Sequence, residues 1–181
     1  IALAYPDCNM QFFHNKKEIL FLRKNNFRQR IVNVIGLKSN EYLVPVNEET
    51  SLVNLSGFIC KPEYAKKTRG EQYIFVNNRF IKNYHIQSAI SKAFEGLISE
   101  NHFPSYFINL KVDAKSIDIN IHPTKTEIKF EDEKSIYAII RSAVRKSLGQ
   151  YNISPSIDFI QENAFNISST SNLNIREPKI K

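Results

Sequence analysis

The sequence predicts an α+β domain in which a mixed sheet is covered by helices. Three observations carry that expectation. Apolar and polar residues alternate in Ile117-Asp118-Ile119-Asn120-Ile121, and Tyr106, Ile108, Leu110 and Val112 fall at every second position, the period of a half-buried strand. Ile86, Ala89, Ile90, Ala93, Phe94 and Leu97 recur instead at helical spacing, as do Ile136, Ile139, Ile140, Ala143, Val144 and Leu148. Asn15-Lys16 and Asn77-Asn78 stand between short apolar runs as two-residue turns, since asparagine tolerates positive φ, so strand also folds back on strand.

The elements follow in order. Residues 1–5 read as the end of a helix stopped by Pro6. Residues 9–14 and 18–22 read as a hairpin. Phe27–Ile35 reads as a helix with Asn25 or Asn26 as its cap and Gly36 at its stop. Residues 41–47 and 50–60 read as strands, with a bulge expected at Gly57. Gly70 breaks a lysine-rich loop before the strand at 72–76. Residues 84–98 are expected to form an amphipathic helix on the sheet. Residues 113–116 turn the chain into a strand at 117–122. The next long helix opens with Glu131, Asp132 and Glu133 and carries Arg141, Arg145 and Lys146 further along, the order the helix dipole favours. From Asn152 on, Ser, Asn and Pro dominate and periodicity fades. The expected organisation is one domain over residues 1–149 and a linker or disordered tail over 150–181.

Composition narrows the class. The 181 residues, 42% hydrophobic, can build one core. The chain opens on Ile1 and its only methionine is Met10, so it is expected to begin inside a longer polypeptide. No apolar run approaches the roughly 20 residues of a membrane helix. The start is too short and lacks the basic flank of a signal peptide. Cys8 and Cys60 lack metal spacing and are too few for a disulfide framework, which points to a reducing compartment.

The net charge of +7 points to a polyanionic partner. Lys61, Lys66, Lys67, Arg69, Arg79 and Lys82 crowd the approach to the Asn77-Asn78 turn, with only Glu63 and Glu71 as counter-charges. Lys16, Lys17, Arg23, Lys24, Arg28 and Arg30 make a second group. Both groups are equally what the solvated surface of a basic protein would show. No ladder of stacking aromatics accompanies them, so any contact to nucleic acid is expected at phosphates, without sequence preference.

One lysine is placed differently. In Ile121-His122-Pro123-Thr124-Lys125-Thr126-Glu127-Ile128-Lys129-Phe130 the alternation runs to His122, and Pro123 then removes a donor and ends the pairing. Thr124, Lys125 and Thr126 form the expected tip before Ile128 and Phe130 resume the apolar rhythm. An ammonium held on a stiff strand and a proline turn suits a phosphate oxygen, although spacing alone is equally met by a solvated hairpin lysine. Asp118, Asn120 and His122 share the polar face, either as the outer side of a sheet or as hydrogen-bonding support for the turn.

The stretch Asp118-Ile-Asn-Ile-His-Pro-Thr-Lys-Thr-Glu-Ile-Lys-Phe130 resembles the signature of the MutL family of DNA mismatch repair proteins. Gln72-Tyr-Ile-Phe-Val-Asn-Asn-Arg-Phe80 resembles the hairpin that precedes it in that family, at the family's distance. The resemblance runs from about Ile1 to about Gly149 and is nearest to Bacteroidetes-type bacterial members, also through Pro155-Ser-Ile-Asp-Phe159. It implies a transducer domain following a GHKL-type ATPase domain, with a ribosomal-protein-like β-α-β fold and a left-handed crossover. It further implies that Lys125 reaches the γ-phosphate of ATP in the adjacent domain, supported by Asn120, His122, Pro123 and Thr124. Arg79 and Lys82, with Lys66, Lys67 and Arg69 beside them, would face DNA. Tyr84 departs from the family, standing where some relatives carry a further basic residue.

Absent chemistry agrees. The five glycines form neither a Walker loop nor a dinucleotide turn. His14, His85, His102 and His122 lack metal-ligand spacing, and no Ser-His-Asp arrangement can be argued. The chain alone is therefore expected to be no enzyme and to bind no cofactor or metal, ATP and Mg belonging to the parent protein. The implied partners are the ATPase domain in the same chain, DNA, MutS and downstream repair factors, and a second copy of the parent, in the cytoplasm at the nucleoid, with no membrane. Two alternatives remain at this point: the transducer domain of another GHKL ATPase such as a type II topoisomerase, and a stand-alone basic nucleic-acid-binding module.

Overall fold

A computed structural model describes residues 1–118 and 127–153. The first hairpin joins β1 (Met10–His14) to β2 (Lys17–Leu22) through Asn15 and Lys16, both at positive φ, as its two-residue turn demands. Helix α1 (Phe27–Ile35) starts at Asn26, whose side chain accepts from the Gln29 amide, and stops at Gly36. Strands β3 (Leu43–Glu49) and β4 (Asn54–Cys60) follow. Both start later than their patterns suggest, because 37–41 forms a 3-10 turn and the Thr50 hydroxyl accepts from the Leu52 and Val53 amides.

Strands β5 (Gln72–Val76) and β6 (Arg79–Phe80) turn through Asn77 and Asn78, at φ 48° and 66°. Helix α2 (Tyr84–Ala93) then leads to β7 (Tyr106–Lys111), which pairs parallel with β5. The helix is shorter than expected. Gly96 at φ 78° turns the chain out, yet Phe94 and Leu97 still reach the core, so helical spacing outlasts the helix. The stem β8 (Ile117–Asp118) with β9 (Lys129–Phe130) precedes α3 (Glu133–Ile153). Asp132 caps α3 by accepting from the Ser135 amide, and Ser135 holds its carboxyl below the ordinary range.

The main sheet has five strands in the order β3-β4-β7-β5-β6, antiparallel except for β5–β7, which makes it mixed as expected. Alternation sends its two faces into separate cores. Val46, Ile59, Ile74, Ile108 and Leu110 pack under α2 and α3, joined by Ile128 and Phe130 from the stem. Phe75, Phe107 and Cys60 pack on the other face with Ile31 of α1 and Leu3 of the N-terminal turn. An aromatic stack lies on that second face, with Tyr73 and Phe107 centroids 5.6 Å apart.

Two expectations are corrected. Residues 1–5 make a turn closed by the Ala4 amide on the Ile1 carbonyl rather than a helix end, and Leu3 and Ala4 are buried in the second core. Gly57 makes no bulge: its register with both Val46 and Ile108 is unbroken. Its need is proximity, since a Cβ there would stand 2.2 Å from the Phe107 carbonyl oxygen.

Candidate functional site

The Asn77-Asn78 turn and the start of α2 bring the basic residues to one end of the sheet. Arg79 and Lys82 are both exposed. Buried Ile81, whose amide donates to the Ile74 carbonyl, sits between them and fixes their segment to β5. Lys82 and Arg69 line one cleft of about 510 Å³, together with Tyr84 and Lys129. Lys129 was not singled out from the sequence, where it looked like an ordinary polar partner of Ile128 and Phe130. Arg79 lines a different, mainly apolar cleft of about 470 Å³.

The lysine-rich loop contributes less than its sequence promises. Lys66 pairs with Glu71, and the Arg69 guanidinium lies over the Phe103 ring at 4.6 Å. These contacts, with the Lys66–Phe103 backbone pairing, order the loop. Lys67 is exposed. In the second basic group Lys16, Lys17, Arg23 and Lys24 are exposed, whereas Arg28 and Arg30 are structural. Arg30 is fully buried, with Nη2 within hydrogen-bond reach of the Pro6, Cys8 and Arg23 carbonyls. Arg28 donates to the Asn40 side chain and to the Asn40 and Leu43 carbonyls. A basic residue in the sequence is thus not yet a basic surface.

The motif segment has a firm base. In the stem, Ile117 pairs with Phe130 and Asp118 with Lys129, and the Glu131 amide donates to the Ser116 carbonyl. Ile128 and Phe130 are each 3% exposed, so the base of the stem is part of the core. Asn120, His122, Pro123, Thr124 and Lys125 lie outside the described residues.

Other chemistry is sparse. Cys60 is buried, and burial followed by the Glu71 charge pushes its thiol up to about 12, which leaves no thiolate for nucleophilic work. Among the described residues no three His, Cys, Asp or Glu gather as a metal site needs, and no helix is long and apolar enough to cross a membrane. A further cationic set, Lys92, Arg141 and Arg145, stands at the C-terminal end of α2. There Arg145 donates to the Ala93 and Glu95 carbonyls and Lys92 pairs with Glu95, a helix-end role.

Known proteins bear on this arrangement. The family described as DNA mismatch repair protein, C-terminal domain, matches residues 31–149. The chain is similar to the DNA mismatch repair protein MutL of Christiangramia forsetii, 55% identical over 159 residues that make up 88% of this chain and 26% of that protein. It is 41% identical over 181 residues to MutL of Bacteroides fragilis, covering 99% of this chain and 29% of that protein. The chain thus spans little more than a quarter of the length of these relatives. Among solved structures, the N-terminal domain of a DNA repair protein superposes with a TM-score of 0.70 at 18% identity, covering 84% of this chain and 51% of that one. The ATPase domain of Aquifex aeolicus MutL superposes with a TM-score of 0.52 at 16% identity, over 79% of this chain and 47% of that one. At such identities the structures speak for the α+β fold, and the sequences speak for the lineage: this chain belongs to the MutL family of DNA mismatch repair proteins, in its Bacteroidetes-type branch.

Proposed function

We propose that this chain is the transducer of a longer MutL protein, which couples ATP held in a neighbouring GHKL-type domain to dimerisation and DNA binding in mismatch repair. Lys125 donates to the γ-phosphate, where a fixed cation neutralises charge and reports whether the phosphate is present. Asn120, His122, Pro123 and Thr124 shape its turn. Loss of the phosphate releases the turn and lets the two domains reorient. Arg79, Lys82, Lys67 and Arg69 meet DNA phosphates, and Lys66 contributes charge beyond its pair with Glu71. The dimeric parent, with its ATP and Mg, passes the mismatch signal from MutS to downstream repair factors, in the cytoplasm at the nucleoid. The observation that carries this reading is the stem, whose strands flank residues 119–126 and whose base is buried in the core.

The β1–β2 hairpin favours this reading over a stand-alone nucleic-acid-binding module. It forms its own two-stranded sheet and leaves Phe12, Phe13, Ile19, Leu20 and Phe21 between 40% and 59% exposed. A hairpin with apolar side chains on both faces is the kind of element that a neighbouring domain covers.

Two measurements test the proposal. Calorimetric titration of this chain alone should show no ATP binding, whereas the full-length protein should bind ATP with Mg. A tight, Mg-dependent ATP site on this chain alone would contradict the division of labour. For DNA, Arg79→Glu in the full-length protein should weaken duplex binding at low salt, and wild-type affinity should fall steeply with salt for every sequence tried. Equal affinity of the variant would remove Arg79 from the interface, and a flat salt profile would remove the phosphate mechanism.

A further inference from the structure

The geometry points to Asn77 and Asn83 as positioning residues that tie the Arg79–Lys82 segment to both arms of the β8–β9 stem, making residues 77–83 the link between the DNA-facing Arg79 and Lys82 and the stem that carries the nucleotide-facing segment. This rests on the function proposed above.

The two asparagines bracket the segment and point to opposite arms of the stem. The Asn77 side chain pairs twice with the Val112 backbone: Nδ2 donates to its carbonyl at 3.0 Å, and Oδ1 accepts from its amide at 3.1 Å. With the Asn77 amide donating to the Leu110 carbonyl, this extends the β5–β7 ladder past the last residue of β5. Val112 leads through the 113–116 turn into β8. The Asn83 side chain reaches the other arm, Nδ2 donating to the Ile128 carbonyl at 3.0 Å in a buried bond immediately before β9.

Neither bond is demanded by local structure. The turn needs Asn77 only for its positive φ of 48°, which glycine also adopts. An N-cap needs only an acceptor, and Asn83 supplies Oδ1 to the Ile86 amide at 3.0 Å; its Nδ2 is surplus to that role. Packing between the segment and the stem is non-directional. Val76, Ile81 and Ile128 share one core cluster with Ile117 packed against it, and all four also line the open cleft of about 470 Å³. The amide bonds add fixed, directional connections to that contact. A displacement of the segment under DNA load pulls on Val112 and Ile128 together and so shifts the stem as a unit. By linkage, a shift at the stem alters DNA affinity by the same factor.

The separating variants are Asn77→Gly, which keeps the turn and loses both bonds to Val112, and Asn83→Ser, which keeps the cap and loses the donor to Ile128. Duplex DNA affinity of the full-length protein is measured with and without a non-hydrolysable ATP analogue and Mg. The wild type should differ between the two states by about fivefold or more. The double variant should keep its nucleotide-free DNA affinity and its melting cooperativity, with that ratio falling towards one. A ratio unchanged in a folded double variant overturns the link. A wild-type ratio of one instead removes the proposed function, and amide exchange then tests the link by itself. Duplex DNA without nucleotide should slow exchange at the Glu131 and Ser116 amides in the wild type and not in the double variant. No DNA-dependent change there in the wild type, or an equal change in the variant, overturns the inference.

Discussion

Lys125→Ala in the full-length protein should slow ATP turnover by roughly tenfold or more, if the charge acts mainly in the transition state, while its melting curve stays in place. The sequence sets Lys125 at the tip of a turn, in the segment 124–126, where a lysine contributes little to stability. Removing one lysine from that segment should therefore change stability by no more than about 0.5 kcal/mol. Lys125→Arg should rescue poorly, because a planar guanidinium does not replace a compact ammonium at a single phosphate oxygen. Steady-state turnover beside a melting curve makes the comparison. Unchanged turnover with unchanged melting would reduce Lys125 to a solvated turn residue and remove the phosphate-sensing role.

The second large effect is on stability. Gly57→Ala should lower the melting temperature by about 10 °C, from a loss of about 3 kcal/mol or more. Gly57 sits at φ 147°, where an L side chain is strained, and its new Cβ would stand 2.2 Å from the Phe107 carbonyl oxygen. That oxygen belongs to the backbone of the neighbouring strand, so no side-chain rotation relieves the clash. Strands β4 and β7 must part, at the centre of the sheet order. Gly70→Ala is the control, since its Cβ meets nothing within 4 Å. If both variants melt with the wild type, the close approach of β4 to β7 is wrong.

These two residues also mark how far the sequence could be read. The strand pattern Tyr106, Ile108, Leu110 survives in the structure as one face of β7, because alternation is a local consequence of burying one side of a sheet. The Asn26 cap, the Gly36 stop and the two asparagine-containing turns were legible for the same reason: each needs only the φ angles and donors of a few consecutive residues. The family motifs were legible because their residue types and spacing carry the lineage directly.

Local pattern in the chain thus set most of the described strands, helices and turns, the mixed α+β class, and membership of the MutL family. The tertiary structure alone decided what each residue meets across the chain. It buried Arg30 against carbonyls from Pro6, Cys8 and Arg23, although the residue read as part of a surface patch. It paired Lys66 with Glu71, brought Lys129 beside Arg69 and Lys82, and turned Gly57 from an expected bulge into a point of contact. It also joined Asn77 to Val112 and Asn83 to Ile128, across 35 and 45 residues of chain. The physical reason is one of range. Periodicity and capping report the free energy of a short segment, whereas the fate of a charge or a glycine depends on which distant backbone the sheet order places against it.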